Sequence, residues 1–284
     1  MSEIEHAILG DLFLVCAVSL FILAIPAYAI IRRKRPAEGW HRRGRVPTTA
    51  LGAVDLLGIG IFFGFYSFFW MAIPAAEERE LTAFGILDSI FFHGLCGGIV
   101  IGMLVWRTRL VEFLGLRWRN WPLVFAMVPC VVVVMWIFNG SLMWAGYFEA
   151  MQHLFGENPM QESVRALQDN DDPLTLVLLV AAACIVAPLA EELVFRGYIY
   201  PSVKRFTDPV FATLFTSLFF AVVHLNAASV LPLFVLAILL TVVYEMSGSL
   251  WAPIAVHFGF NAVTVVVNFV MRFVSPETLK ALES

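Results

Sequence analysis

The chain has 284 residues, of which 60% are hydrophobic and 14% charged, with a formal net charge of −4. Soluble domains carry about 25% charged residues, so this composition excludes an ordinary soluble protein and implies an all-α, polytopic membrane protein. The net charge says little about partners, because the charges are sorted into loops. The lipid bilayer is the implied surroundings, and nucleic acid is not an expected partner.

Crossing the hydrocarbon core takes about 20 apolar residues. Eight stretches qualify in chain order: 8–31, 50–74, 84–106, 122–146, 173–205, 209–225, 229–246 and 250–273. The first lacks a basic leader and reads as a span rather than a cleaved signal peptide. All read as helices, since turn residues separate them and no alternating pattern suggests a barrel. The expected organisation is a four-span N-terminal region (1–172), a membrane core (173–273) and a short tail (274–284). Cys16, Cys96, Cys130 and Cys184 all fall inside apolar runs and read as small core hydrophobes.

The loops between the spans differ in charge. "RRKRPAEGWHRRGR" (32–45) carries seven Lys/Arg and "RTRLVEFLGLRWRNW" (107–121) carries four. The segments 75–83 and 147–172 are mostly acidic. The positive-inside rule then places the two basic loops in the cytoplasm and both termini outside. Trp40, Trp118 and Trp121 stand where interfacial aromatics belong.

Polar groups at membrane depth are costly and are therefore functional candidates. Asp55, Asp88 and Asn139 lie near span ends or stand alone, and His93 has no evident polar partner. These four read as structural. Three other stretches are patterned: "EELVFR" with Glu191, Glu192 and Arg196; "FAVVH" ending at His224; and "HFGFN" with His257 and Asn261. Glu192 and Arg196 are four residues apart and can pair on one helix face. Glu191 points elsewhere and has no local counter-charge. Burial and an acidic neighbour disfavour its ionised form, which is how a glutamate becomes a general base. His257 and Asn261 share the same spacing and present donors on one face. Phe220 stands one turn before His224 and can shield it.

The spans at 173–205 and 209–225 form a hairpin turning near Thr207 and Asp208. Glu191 and His224 are each about 16–17 residues from that turn, hence at one level roughly 24 Å from it. His257 is about 13 Å from the next turn, at Gly248, so the first hairpin must project roughly 10 Å further. Arg196, Lys204 and Arg205 would then snorkel toward the cytoplasmic surface. Pro188 cannot donate to the carbonyl of Cys184, which loosens the helix just before Glu191.

Taken in order, Glu-Glu-x-x-x-Arg, Phe-x-x-x-His and His-x-x-x-Asn resemble the CPBP family, which holds type II CAAX prenyl endopeptidases and bacteriocin-processing or immunity (Abi) proteins. The likeness spans roughly residues 173 to 265. It implies intramembrane peptide-bond hydrolysis of a membrane-associated protein or peptide. In that scheme Glu191 and His224 activate water, His257 and Asn261 stabilise the oxyanion, and Glu192 and Arg196 support Glu191. No cofactor is favoured. The alternative is zinc held by Glu191, His224 and His257, although no H-E-x-x-H helix is present. A non-catalytic immunity or scaffold protein would not need these groups together, and a proton-coupled transporter would more often show repeats. The expected location is the inner (plasma) membrane, with the site opening to the cytoplasm. Substrate identity and oligomeric state are not encoded in these patterns.

Overall fold

Helix boundaries follow the capping chemistry written in the sequence. Thr82, Asp172, Asp208 and Asn226 each stand at an N-cap and accept a backbone N–H from the first turn that follows. Pro173 and Pro209 occupy the first helical position, where no N–H is needed. Gly248 ends its helix at φ +68°, the left-handed conformation that suits glycine. The structure, a computed structural model, describes residues 23–25, 27, 28, 30, 44–72, 82–155 and 162–272.

The main helices are α1 (Val54–Ala72), α2 (Ala83–Val105), α3 (Trp121–Trp144), α4 (Tyr147–Phe155), α5 (Glu162–Asp169), α6 (Pro173–Phe206), α7 (Pro209–Val222), α8 (Ala227–Ser247) and α9 (Trp251–Met271). No strand occurs among the described residues. The all-α, polytopic expectation holds, whereas the count of about eight spans is not supported by the described residues. Among the described residues, five helices (α2, α3, α6, α8 and α9) are long and apolar enough to cross a membrane. The stretch 8–31 lies mostly outside the described residues. Helix α7 has 14 residues, about 21 Å of helix against a hydrocarbon core of roughly 30 Å. The apolar part of α1, Val54–Ser67, is likewise short.

Helices α6 and α7 form the expected hairpin, closed at Asp208, which also accepts the Tyr28 hydroxyl. Helix α7 then pairs with α8, α3 lies against α9, and α2 lies against α6. The centre is aromatic. Phe195 of α6 meets Phe219 and Phe220 of α7 edge-on, with ring centroids 5.6 and 5.1 Å apart. Outward positions are apolar too: Leu57, Phe84, Phe91, Phe125, Val177 and Val266 are all exposed. A surface this apolar is at home in lipid, where helix association relies on close packing and internal hydrogen bonds. Gly259 shows how close that packing is, because a Cβ added there would come within 2.5 Å of Val128 on α3.

Two charged clusters brace the bundle away from the cavity. Asp55 is fully buried and takes both guanidinium nitrogens of Arg107 at 2.7 Å, with the Tyr198 hydroxyl at 3.1 Å. The structural role expected for it holds. Lys204 bonds Glu245 and the carbonyl of Val46. The snorkelling expected of Lys204 and Arg196 is therefore wrong. Both are fully buried, because acceptors inside the bundle replace water. Cys96 and Cys184 are buried as expected, whereas Cys130 is exposed on α3. Cys16 and Trp40 lie outside the described residues.

Candidate active site

Helix α6 is irregular where its charges sit. Two wide π-helical turns, Ala182–Val186 and Glu192–Ile199, flank a short α segment that ends at Glu191. Ala187 N–H reaches back five residues to the carbonyl of Ala182. In that register the donor for Ala183 O would come from residue 188, which is proline and has none. Asn261 fills the gap: its Nδ2 donates to Ala183 O at 2.8 Å. Pro188 thus loosens the helix as expected, but the carbonyl given to a side chain is that of Ala183, not of Cys184. Turns of this kind appear often at functional sites.

The two glutamates are separated by role. Glu192 is fully buried and its Oε1 accepts from Arg196 Nη1 at 2.8 Å. Arg196 Nη2 donates to Ala237 O at 3.0 Å, and its guanidinium lies over the Phe220 ring. His257 Nδ1 is 2.9 Å from the same Glu192 oxygen. Glu191 instead borders a cavity of about 580 Å³. His93, His224, His257 and Asn261 line that cavity with it, whereas Glu192 and Arg196 stand behind its wall. Apolar side chains such as Ile86, Met135, Leu236 and Phe260 form the rest of the lining, with Asn139, Thr264 and Asn268 also at its wall.

Glu191, expected to have no local partner, has partners from other helices. His93 Nε2 lies 3.3 Å from Glu191 Oε1, and His257 Nε2 lies 3.8 Å from Oε2. These partners come from α2 and α9, so spacing within α6 could not show them. The structural role expected for His93 omits this contact; behind the ring, its Nδ1 donates to the backbone carbonyl of Ser89, one turn earlier, at 2.7 Å. The acceptor is a backbone carbonyl that any residue at position 89 would offer, so no side-chain pattern in the sequence marks this arrangement.

The three histidines share one arrangement. Each Nδ1 faces an acceptor: Ser89 O for His93, Phe220 O at 2.7 Å for His224, and Glu192 Oε1 for His257. A carbonyl or carboxylate oxygen only accepts, so Nδ1 carries the hydrogen in each. His224 follows the last turn of α7 rather than lying within a span, and the chain after it turns sharply, with Leu225 at φ +55°. That left-handed conformation is rare for a bulky residue and costs about 1–3 kcal/mol.

The zinc alternative needs Glu191, His224 and His257 as a converging set. They line one cavity, but among the described residues no group of three or more His, Cys, Asp or Glu side chains is arranged to hold a metal ion. No step is therefore routed through a metal.

Comparison with known proteins meets this geometry. The model of the family "Type II CAAX prenyl endopeptidase Rce1-like" matches residues 173–263, which carry Glu191, Glu192, Arg196, His224, His257 and Asn261. The chain is 26% identical over 228 residues to the "Putative membrane peptidase YdiL" of Bacillus subtilis, covering 70% of this chain and 88% of that protein. It is 34% identical over 91 residues to the UPF0177 protein YxdF of Lactococcus lactis, covering 30% of this chain and 50% of the other. No solved structure matches. The part of this chain that resembles the Rce1-like, or CAAX protease, family is therefore residues 173–263, which carry the three motifs gathered at one cavity.

Proposed function

We propose that this protein is an intramembrane endopeptidase that hydrolyses a peptide bond of a membrane-associated substrate. The observation that carries the proposal is the division of the glutamates. Glu191 opens on a cavity at membrane depth among three imidazoles, and Glu192 is locked behind it by Arg196 and His257.

In this reading a water molecule sits between Glu191 and the bare Nε2 of His224. Its oxygen attacks the scissile carbonyl carbon while its proton passes to Glu191. The carbonyl oxygen becomes an oxyanion facing α9. Asn261 spends one N–H on Ala183 O and has a second to give. His257, with Nδ1 donating to Glu192, offers an Nε2 hydrogen as the imidazolium, a charge that the two glutamates flank. Preorganised donors of this kind are each worth about 10²–10³ in rate. Glu191 then returns the proton to the leaving nitrogen as the C–N bond breaks, giving a carboxyl end and an amine.

The substrate classes that fit are a prenylated CAAX-type tail, a leader peptide or another membrane protein. The basic loops at 32–45 and 107–121 argue for a cavity opening to the cytoplasm. Labelling of single cysteines placed in 147–172 only after permeabilisation would reverse that topology. The function is tested with purified protein and a lipid-anchored reporter peptide, with and without chelator. Wild-type cleavage that survives chelation and disappears in Glu191→Gln supports the reading. Equal cleavage by wild type and Glu191→Gln overturns it.

A further inference from the structure

His93 comes from α2, outside the residues that the family model matches, and none of the three motifs assigns it a task. Its ring is fixed from behind by Nδ1–H donating to Ser89 O at 2.7 Å. In a neutral ring that leaves Nε2 as a lone pair, and this atom lies 3.3 Å from Glu191 Oε1. Two lone pairs do not attract one another, so the contact requires one proton between Nε2 and Oε1, whichever atom holds it.

We propose that His93 is a positioning residue for Glu191. The Ser89 carbonyl sets the ring, the ring's Nε2 shares a proton with Oε1, and Oε2 alone is left to face the reacting water. The terminal torsion of a glutamate has a broad, two-fold energy profile, so an unheld Glu191 would present either oxygen at varying angles. His257 cannot supply the same restraint. Its Nε2 is 3.8 Å from Oε2 and its Nδ1 is committed to Glu192. The part that concerns catalysis rests on the hydrolytic reading of Glu191, whereas the contact stands on geometry alone.

The test has two arms. In the first, the full-length protein labelled with ¹⁵N at histidine is reconstituted in liposomes and read by solid-state NMR. The His93 signals are those lost in His93→Gln. The expected result is a hydrogen on Nδ1 and an Nε2 resonance that shifts on Glu191→Gln. A hydrogen on Nε2 with Nδ1 bare, or an Nε2 resonance that ignores Glu191→Gln, overturns the proposal whether or not the protein is active.

In the second arm, an internally quenched peptide with a prenylated C-terminal cysteine is the reporter. His93→Ala should lower kcat by about 10²-fold with KM within about twofold, the pattern of a misplaced catalytic group. His93→Gln can still donate to Oε1 and should recover to within about tenfold of wild type. A His93→Ala enzyme with unchanged kcat overturns the proposal. An inert Glu191→Gln enzyme without the NMR coupling leaves the hydrolytic reading and removes His93 from it. The coupling with a fully active Glu191→Gln enzyme removes the hydrolytic reading instead.

Discussion

Glu245 and Glu191 are both acidic side chains inside an apolar bundle, and they are handled in opposite ways. Glu245 is saturated. Its Oε1 accepts Lys204 and the Tyr200 hydroxyl, and its Oε2 accepts the backbone N–H groups of Arg45 and Val46. That cluster pins residues 45 and 46 to the ends of α6 and α8. Glu191 has imidazole partners, His93 and His257, and a cavity in front of it. Its companion Glu192 even retains an Oε2 with no partner among the described residues. A buried charge whose hydrogen-bonding capacity is filled is a brace. One whose capacity stays open is a candidate for chemistry, because the polar group is costly to keep there otherwise.

The contrast can be broken most sharply by neutralising each acid in turn. Glu191→Gln should lower turnover by about 10²–10⁴-fold, the range of a lost general base, with little change in thermal midpoint. Glu245→Gln should do the reverse. Comparable turnover in the two variants, read in one peptidase assay, would erase the distinction.

Asn261→Ala sharpens the description of the open site. It should reduce kcat by about 10²–10³-fold with KM nearly constant. A rise in KM alone would mean that Asn261 only anchors α6 through Ala183 O.

Arg196→Met tests the support behind the wall. Removing one partner of a buried pair strands the other charge, and the expected cost is about 3–5 kcal/mol, read as a fall in thermal midpoint. A wild-type midpoint would show that His257 suffices to hold Glu192. On the braced side, Glu245→Gln leaves the Lys204 ammonium with acceptors but no counter-charge, at an expected cost of about 1–3 kcal/mol.

The smallest effect lies at the start of α6. Hydrogen bonds from Thr175 hold the Asp172 carboxyl below its usual range. A lowered folded-state value means that this cap stabilises at neutral pH and fades only as pH falls below about 4, the ordinary carboxylate value. Asp172→Asn should flatten that part of the acid-unfolding curve. An unchanged curve would show that the cap contributes nothing to stability.

Local patterns were legible because their causes are local. Composition alone implied membrane helices, Pro and Gly with their capping neighbours marked the helix ends, and Glu192 and Arg196 paired across one helical turn as their spacing required. The motif residues Glu191, His224, His257 and Asn261 also line one cavity. Span number was less legible, since 209–225 carries no Asp, Glu, Lys or Arg yet its helix stops at Val222 and the chain turns at His224 and Leu225.

What only the tertiary structure decided were the contacts between helices. His93 approaches Glu191 across 98 positions of sequence, His257 meets Glu192 across 65, and Asn261 finds Ala183 O across 78. Spacing along one helix fixes which side chains share a face, but not which face of another helix will meet them. That choice is made by packing, here by an aromatic centre and by close approaches such as Gly259 against Val128. The same packing buried Lys204 and Arg196, because acceptors on neighbouring helices replaced the water that a lone span would have had to reach.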